Sequence, residues 1–216
     1  MQQVRAMKRI LIVDDHEVVR DGVKRILDKP PGAASFGEAS TAQEALDLAR
    51  GQEWDVVLLD LSLGGRDGLE VLKELKRLRP RLPVLILSMH SEELFARRAL
   101  KAGASGYIAK NSPRAALAEA VNRVMRGGVY ISPGLAEKLV IDLREGTARP
   151  PHETLSDREF EVLRLIASGK TVGEIADMLS LSVGTISTYR ARILDKMGMK
   201  TNAELTRYAI QNQLVE

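Results

Sequence analysis

The chain has 216 residues, of which 44% are hydrophobic and 28% charged, and its formal net charge is +3. This is an ordinary soluble composition, long enough for one large domain or two modest ones with a proper core. The absence of cysteine excludes disulfides and thiolate metal sites and agrees with a reducing cytosol, and no apolar stretch approaches the roughly 20 residues of a membrane span.

Residues 1–6 read as a short polar leader with no signal peptide, and Met1 and Met7 are both candidate starts. From there to residue 127, short β-rich runs alternate with amphipathic helical patterns. The predicted strands are Arg9–Val13, Ala34–Glu38, Asp55–Leu59, Pro83–Leu87 and Gly106–Ala109. Helix starts are marked between them. Thr41 with Glu44 and Asp67 with Glu70 read as capping boxes, Ser91 as a cap, and Ser112-Pro113 as a cap followed by proline at the first helical position. Leu69, Leu72 and Leu75 recur on one helical face, with Lys73, Lys76 and Arg77 outside it. Strands alternating with helices predict an α/β domain with a five-stranded doubly wound parallel sheet.

Residues 128–153 are expected as a linker with a short helix started by Ser132-Pro133, and the stretch from Glu145 to Glu153 as an exposed tether. Beyond it β-patterning disappears, and residues 154–216 predict a small all-α domain of four helices. Ser156 with Glu159 is a capping box with Leu155 and Phe160 as its hydrophobic staple, and Gly169 is a stop. Thr171 with Glu174 starts the second helix. Ser182 caps a third from Val183 to Met197, and Thr201 with Glu204 opens the fourth. The tight turn between the middle pair describes a helix-turn-helix.

The most informative residue is Asp60, which closes the run Trp54–Leu59, while Asp14-Asp15 closes Ile10–Val13. Carboxylates at the C-terminal ends of parallel strands meet in the crevice where such sheets hold ligands. Their mutual repulsion requires a cation or a shared proton. The three histidines (His16, His90, His152) show no metal-ligand spacing.

On Asp14-Asp15, Asp60 with Asp67-Gly68, Ser88, Tyr107 and Lys110, residues 8–127 resemble the receiver domain of two-component response regulators. Residues 154–216 resemble a LuxR-type helix-turn-helix. The resemblance implies that Asp60 accepts a phosphoryl group from a sensor histidine kinase. It implies Mg2+ held by Asp15, Asp60 and the Ser62 carbonyl, with Asp14 acting through water. Lys110 and Ser88 would then hold phosphoryl oxygens, and Ser88 with Tyr107 would form a switch pair moving the surface of the fourth helix, fifth strand and fifth helix. Phosphorylation would promote a homodimer or free the C-terminal domain. Residues that depart from the family are Gly64-Gly65 and Asn111, where receivers commonly carry proline. Ser62 and His90 stand where hydrolysis is tuned.

A haloacid-dehalogenase-type phosphohydrolase also uses a strand-end Asp, but needs a second acid where this chain has Ser62. No enzymatic turnover is expected beyond self-phosphorylation and slow self-hydrolysis. A phosphorylation-independent regulator with a vestigial site is the other alternative.

Residues 154–216 hold 8 basic and 8 acidic residues, so DNA binding must come from local clustering. Residues 182–207 supply it: Arg190, Arg192, Lys196, Lys200 and Arg207 against Asp195 and Glu204, five minus two giving +3. The third helix is expected in the major groove. Ile186, Ile193 and Met197 face the core, and Ser187, Thr188, Ala191 and Arg192 point outward. Ser182, Thr185, Thr188 and Tyr189 offer hydroxyls to phosphates, and Ser187 stands where relatives often place lysine. The partners implied are double-stranded operator DNA, the kinase, a second copy of the chain and RNA polymerase, with no membrane and a cytoplasmic setting.

Overall fold

The computed structural model describes residues 7–63, 66–89, 92–145, 150–212 and 214–215. It divides into two compact units, Met1–Val140 and Ile141–Glu216.

The first unit runs β1 (Lys8–Val13), α1 (Glu17–Leu27), β2 (Ala34–Ala39), α2 (Ala42–Gly51), β3 (Val56–Leu59), β4 (Ser62–Leu63), β5 (Arg66–Asp67), α3 (Gly68–Leu78), β6 (Val84–Ser88), α4 (Glu92–Lys101), β7 (Gly106–Ala109) and α5 (Arg114–Met125). The following α6 (Pro133–Glu145) spans the division. Among the described residues the main sheet has the order β2-β1-β3-β6-β7 and every pairing in it is parallel. Its inner strands β3 and β6 are aliphatic runs buried on both faces, as parallel sheets under two helical layers require, whereas the edge strand β2 is only partly buried. Ile10, Ile12, Val56, Leu58, Leu85 and Leu87 form one core with Val23, Leu117, Val121 and Val124 of α1 and α5. By strand alternation Leu11, Val13, Val57 and Leu59 face the opposite side, and they too are buried. The strand order reverses between β1 and β3, opening a crevice at their C-terminal ends.

The five expected strands form, with ends shifted by at most a residue. Several local expectations are corrected. The short antiparallel pair β4–β5 has no counterpart in the sequence reading. Thr41 accepts the Glu44 N–H, but the Glu44 carboxylate reaches back to the N–H and hydroxyl of Ser40 at 2.7 and 3.0 Å. Pro113 itself is the N-cap of α5, with no side-chain cap, because its carbonyl accepts the first helical N–H from Ala116. The start of the expected linker is tied to the sheet. Tyr130 bridges Gly106, donating to the Ser105 carbonyl and accepting the Tyr107 N–H. The Ser91 cap, Gly64, Gly65 and His90 lie outside the described residues, as do 146–149 of the tether and the Asp67 side chain.

The second unit holds α7 (Asp157–Ala167), α8 (Val172–Met178), α9 (Val183–Met197) and α10 (Asn202–Gln211). Its core is Phe160, Leu163, Ile166, Ile175, Ile186, Ile193 and Leu205. The capping boxes at Ser156, Thr171 and Thr201 all form. Gly169 ends α7 at φ +83. It donates to Ile166 while Lys170 donates to Leu165, satisfying two orphan carbonyls as only a left-handed residue permits. The end of the tether is also structured: Pro151–Thr154 is a short 3-10 helix. Its His152 hydrogen-bonds the Tyr208 hydroxyl at 2.8 Å and lies against Phe160.

Candidate functional site

Asp14 follows β1 and Asp60 follows β3. Because Val13 pairs with Leu59, the two carboxylates leave the sheet side by side. The Asp60 N–H continues the ladder to the Val13 carbonyl at 2.9 Å. Both acids are 2% exposed, whereas Asp15 is turned outward. Lys110 follows β7 and its N–H donates to the Ser88 carbonyl at 2.9 Å. Its ammonium crosses the sheet end to Asp14 Oδ2 at 2.8 Å and Asp60 Oδ2 at 2.7 Å. The other carboxylate oxygen, Asp60 Oδ1, is buried without a hydrogen-bond partner.

Burial pushes the Asp60 carboxyl above its ordinary range, against the opposing hydrogen bonds from Lys110 and the Ser62 N–H. Burial alone would lower Lys110, but its hydrogen bonds to Asp14 and Asp60 outweigh it and hold the ammonium above its usual value. One lysine therefore faces an acidic cluster, and an anionic oxygen remains unsatisfied in a dry position. That is the environment of a hard cation. Asp14, Asp15, His16 and Asp60 each offer a ligand atom within 4.8 Å of the others, so the residues fit a divalent ion.

Two participants escaped the sequence reading. His16, which has no metal-ligand spacing in the sequence, places Nδ1 2.7 Å from Asp15 Oδ1 and 3.3 Å from Asp14 Oδ1. Arg20, one turn into α1, donates Nη1 to the Asp14 carbonyl at 2.7 Å and Nε to Glu38 at 2.9 Å. Lys24 and Arg20 together hold the Glu38 carboxyl below its usual range. Adjacency to Asp15 and helical spacing from His16 were the signals available.

Ser88 and Tyr107 are both fully buried, at the end of β6 and within β7. Ser62 starts β4 and pairs with Asp67. Gly68 explains the motif around it. A Cβ there would meet the Leu61 Cα and stand 2.7 Å from the Asp60 carbonyl oxygen. Only glycine lets α3 begin against the backbone that carries Asp60.

In the second unit α9 presents the face expected of it. Ile186, Ile193 and Met197 are buried, and Ser187, Thr188, Ala191 and Arg192 are exposed. Its polar groups are more committed than expected. Ser182 caps the helix and contacts the Thr185 hydroxyl at 2.8 Å. Ser187 and Thr188 donate to the Val183 and Gly184 carbonyls at 2.9 Å. Arg190 donates to Asn202 at 2.6 Å, and Tyr189 is half-buried. Lys196, expected as a DNA contact, pairs with buried Glu159 at 2.7 Å. Arg192 has no partner among the described residues.

Two family patterns match the chain: the response regulator receiver domain over residues 10–122 and the bacterial regulatory proteins of the luxR family over 153–209. It is similar to the response regulator GacA of Pseudomonas viridiflava, 36% identical over 211 residues that cover 97% of this chain and 99% of that protein. With the response regulator UvrY of Escherichia coli K12 it shares 34% identity over 209 residues, 96% of each. It also resembles the solved structure of RcsB from Salmonella enterica serovar Typhimurium, bound to promoter rprA in the presence of phosphomimetic BeF3-. That likeness has a TM-score of 0.63 at 25% identity, covering 94% of this chain and 98% of that one.

Proposed function

The chain belongs to the two-component response regulators that join a receiver domain to a LuxR-type DNA-binding domain, and on that premise we propose that Asp60 is its phosphoacceptor and α9 its operator reader. The observation that carries the proposal is the division of labour at Asp60. Lys110 holds one carboxylate oxygen and leaves the other buried and unpaired.

Phosphoryl transfer is chiefly a matter of positioning and charge neutralisation. An Asp60 oxygen attacks the phosphorus of a phosphohistidine on the kinase. The O–P bond forms as the P–N bond breaks, and the imidazole leaves with the nitrogen's electron pair. Mg2+ would supply the charge that lets a phosphoryl group approach this acidic pocket; Asp15, Asp60 and the Ser62 carbonyl would hold it, and Asp14 would act through water. Lys110 follows the phosphoryl oxygens as a point charge, and Ser88 donates its hydroxyl to another. Tyr107 then reports the state of Ser88 from β7. No acid follows Asp60 at the position of Ser62, which favours a stoichiometric acceptor over a turnover phosphohydrolase. The intact set of Asp14, Asp15, Asp60 and Lys110 argues against a vestigial site.

Phosphorylation promotes a homodimer, whose α9 helices read two half-sites of double-stranded DNA in the cytoplasm, with RNA polymerase downstream. Ser182, Thr185, Ser187, Thr188, Tyr189, Arg190 and Arg192 form the DNA face. Among the described residues no helix is long and apolar enough to cross a membrane.

The test incubates the protein with Mg2+ and acetyl phosphate and follows intact mass, sedimentation and operator anisotropy, with Asp60→Asn alongside. One added phosphoryl group that vanishes in Asp60→Asn, with tighter DNA binding in the wild type, is the expected result. Persistent labelling of Asp60→Asn would move the chemistry elsewhere.

A further inference from the structure

We infer that His16 is itself a ligand of the cation in this pocket, so that the site binds borderline divalent ions such as Mn2+, Co2+ and Ni2+ more tightly than carboxylates alone would. The inference rests on the reading of Asp14, Asp15 and Asp60 as a cation site and adds a nitrogen donor to it.

His16 occupies the N-cap position of α1, yet its side chain makes no capping bond. The imidazole is turned toward the acids instead. Neighbouring ligands of an octahedral ion with bonds of about 2.1 Å stand about 3.0 Å apart, and trans ligands about 4.2 Å. The distances from His16 Nδ1 to Asp15 Oδ1 and Asp14 Oδ1, 2.7 and 3.3 Å, bracket the first value. The four donors lie within 4.8 Å of one another, a slightly wider spread than the second value.

Lys110 decides which oxygens are left. It takes Oδ2 of Asp14 and Oδ2 of Asp60, so Asp14 Oδ1 is left to face the His16 backbone N–H at 2.9 Å and the imidazole. Asp60 Oδ1 is the independent sign of a missing partner. It is buried and unbonded on a residue only 2% exposed. His16 is 65% exposed, which leaves the remaining coordination positions open to water or an incoming oxyanion.

Mg2+ prefers oxygen and retains its waters, so an imidazole adds little to its binding. Affinity at a mixed N/O site rises from Mn2+ through Co2+ to Ni2+, and imidazole suits the later ions.

The test titrates the metal-free full-length protein with Co2+ and, separately, Mg2+ by calorimetry, and records the Co2+ absorption spectrum. Wild type, His16→Ala, His16→Gln, Asp15→Asn and Asp60→Asn are compared, with Trp54 fluorescence confirming the fold of each. Both His16 variants should weaken Co2+ by roughly tenfold and change its spectrum, while Mg2+ shifts by less than about twofold. Equal losses for both ions, or unchanged Co2+ binding, would overturn the inference. So would full-strength Co2+ binding to Asp60→Asn, which would place the nitrogen site elsewhere. If Asp15→Asn and Asp60→Asn bound Mg2+ like the wild type, the cation reading itself would fail, separately from His16.

Discussion

Lys196, near the end of α9, closes a 2.7 Å ion pair with Glu159, whose carboxylate is nearly buried and also caps α7. The pair fastens α9 to the start of α7, so Lys196 positions α9. Lys196→Ala should destabilise the second unit by about 1–2 kcal/mol, because the carboxylate loses its charged partner. Burial would raise Glu159, but its hydrogen bonds to Lys196 and Ser156 prevail and hold it below the ordinary carboxylate range. A depressed value means that this stability is present above the unfolded pKa and lost as pH falls through the folded one. Hydrogen exchange of α7 and α9 amides should therefore separate wild type from Lys196→Ala at pH 7 and converge in acid.

Arg192→Ala should weaken operator binding and reduce the salt slope by about one unit. Lys196→Ala should leave the slope unchanged once stability is matched. Anisotropy titrations across a salt series check both, and a slope that ignores Arg192 removes it from the interface.

Asp60 supplies a pH dependence of opposite sign. Its carboxyl is raised, chiefly by burial, so its contribution to stability is present below the unfolded pKa and lost as pH rises through the folded value. The receiver should gain stability in Asp60→Asn relative to wild type as pH increases. Trp54 is the chain's one tryptophan, and urea unfolding followed by its fluorescence reports the receiver alone. A cation at tenfold its Kd should return about 1.4 kcal/mol to the wild type and little to Asp60→Asn.

Arg20 holds the loop that carries the acids by its backbone. Arg20→Ala should lower cation affinity and the rate of Asp60 labelling by roughly tenfold, the usual effect of losing an outer-shell partner. Arg20→Lys should restore little, since an ammonium cannot reproduce the forked contact with Glu38 and the Asp14 carbonyl. Calorimetry and phosphorylation kinetics measure the two effects.

Gly68→Ala should destabilise the receiver by about 1–3 kcal/mol through overpacking and slow Asp60 labelling, because the added methyl meets the backbone at Asp60 and Leu61. Melting and labelling at matched stability separate the two losses.

The sheet was legible because its inner strands are short aliphatic runs bounded by helical patterns, and the caps of the second unit because capping is local chemistry. Asp14, Asp60 and Lys110 were legible as strand-end residues. What escaped depends on contacts distant in the chain. Lys196 reads as one more cation in a basic cluster until the fold brings Glu159, 37 residues away, against it. Arg20 reads as a solvated helix residue until β2 presents Glu38. Ser187 and Thr188 read as free hydroxyls until the helix claims their protons. Tyr130 lies at the start of the stretch expected as a linker with a short helix, whereas its pairing with Gly106 requires the sheet to exist first.

That pairing has a mechanical meaning. The Tyr107 amide is hydrogen-bonded at 2.9 Å to the Tyr130 carbonyl, three residues before α6 begins. The backbone of Tyr107 cannot move along or out of the sheet without either breaking this bond or pulling Tyr130 with it. The chain therefore leaves the receiver tied by its backbone to Tyr107, so that any shift of β7 is passed to the start of α6.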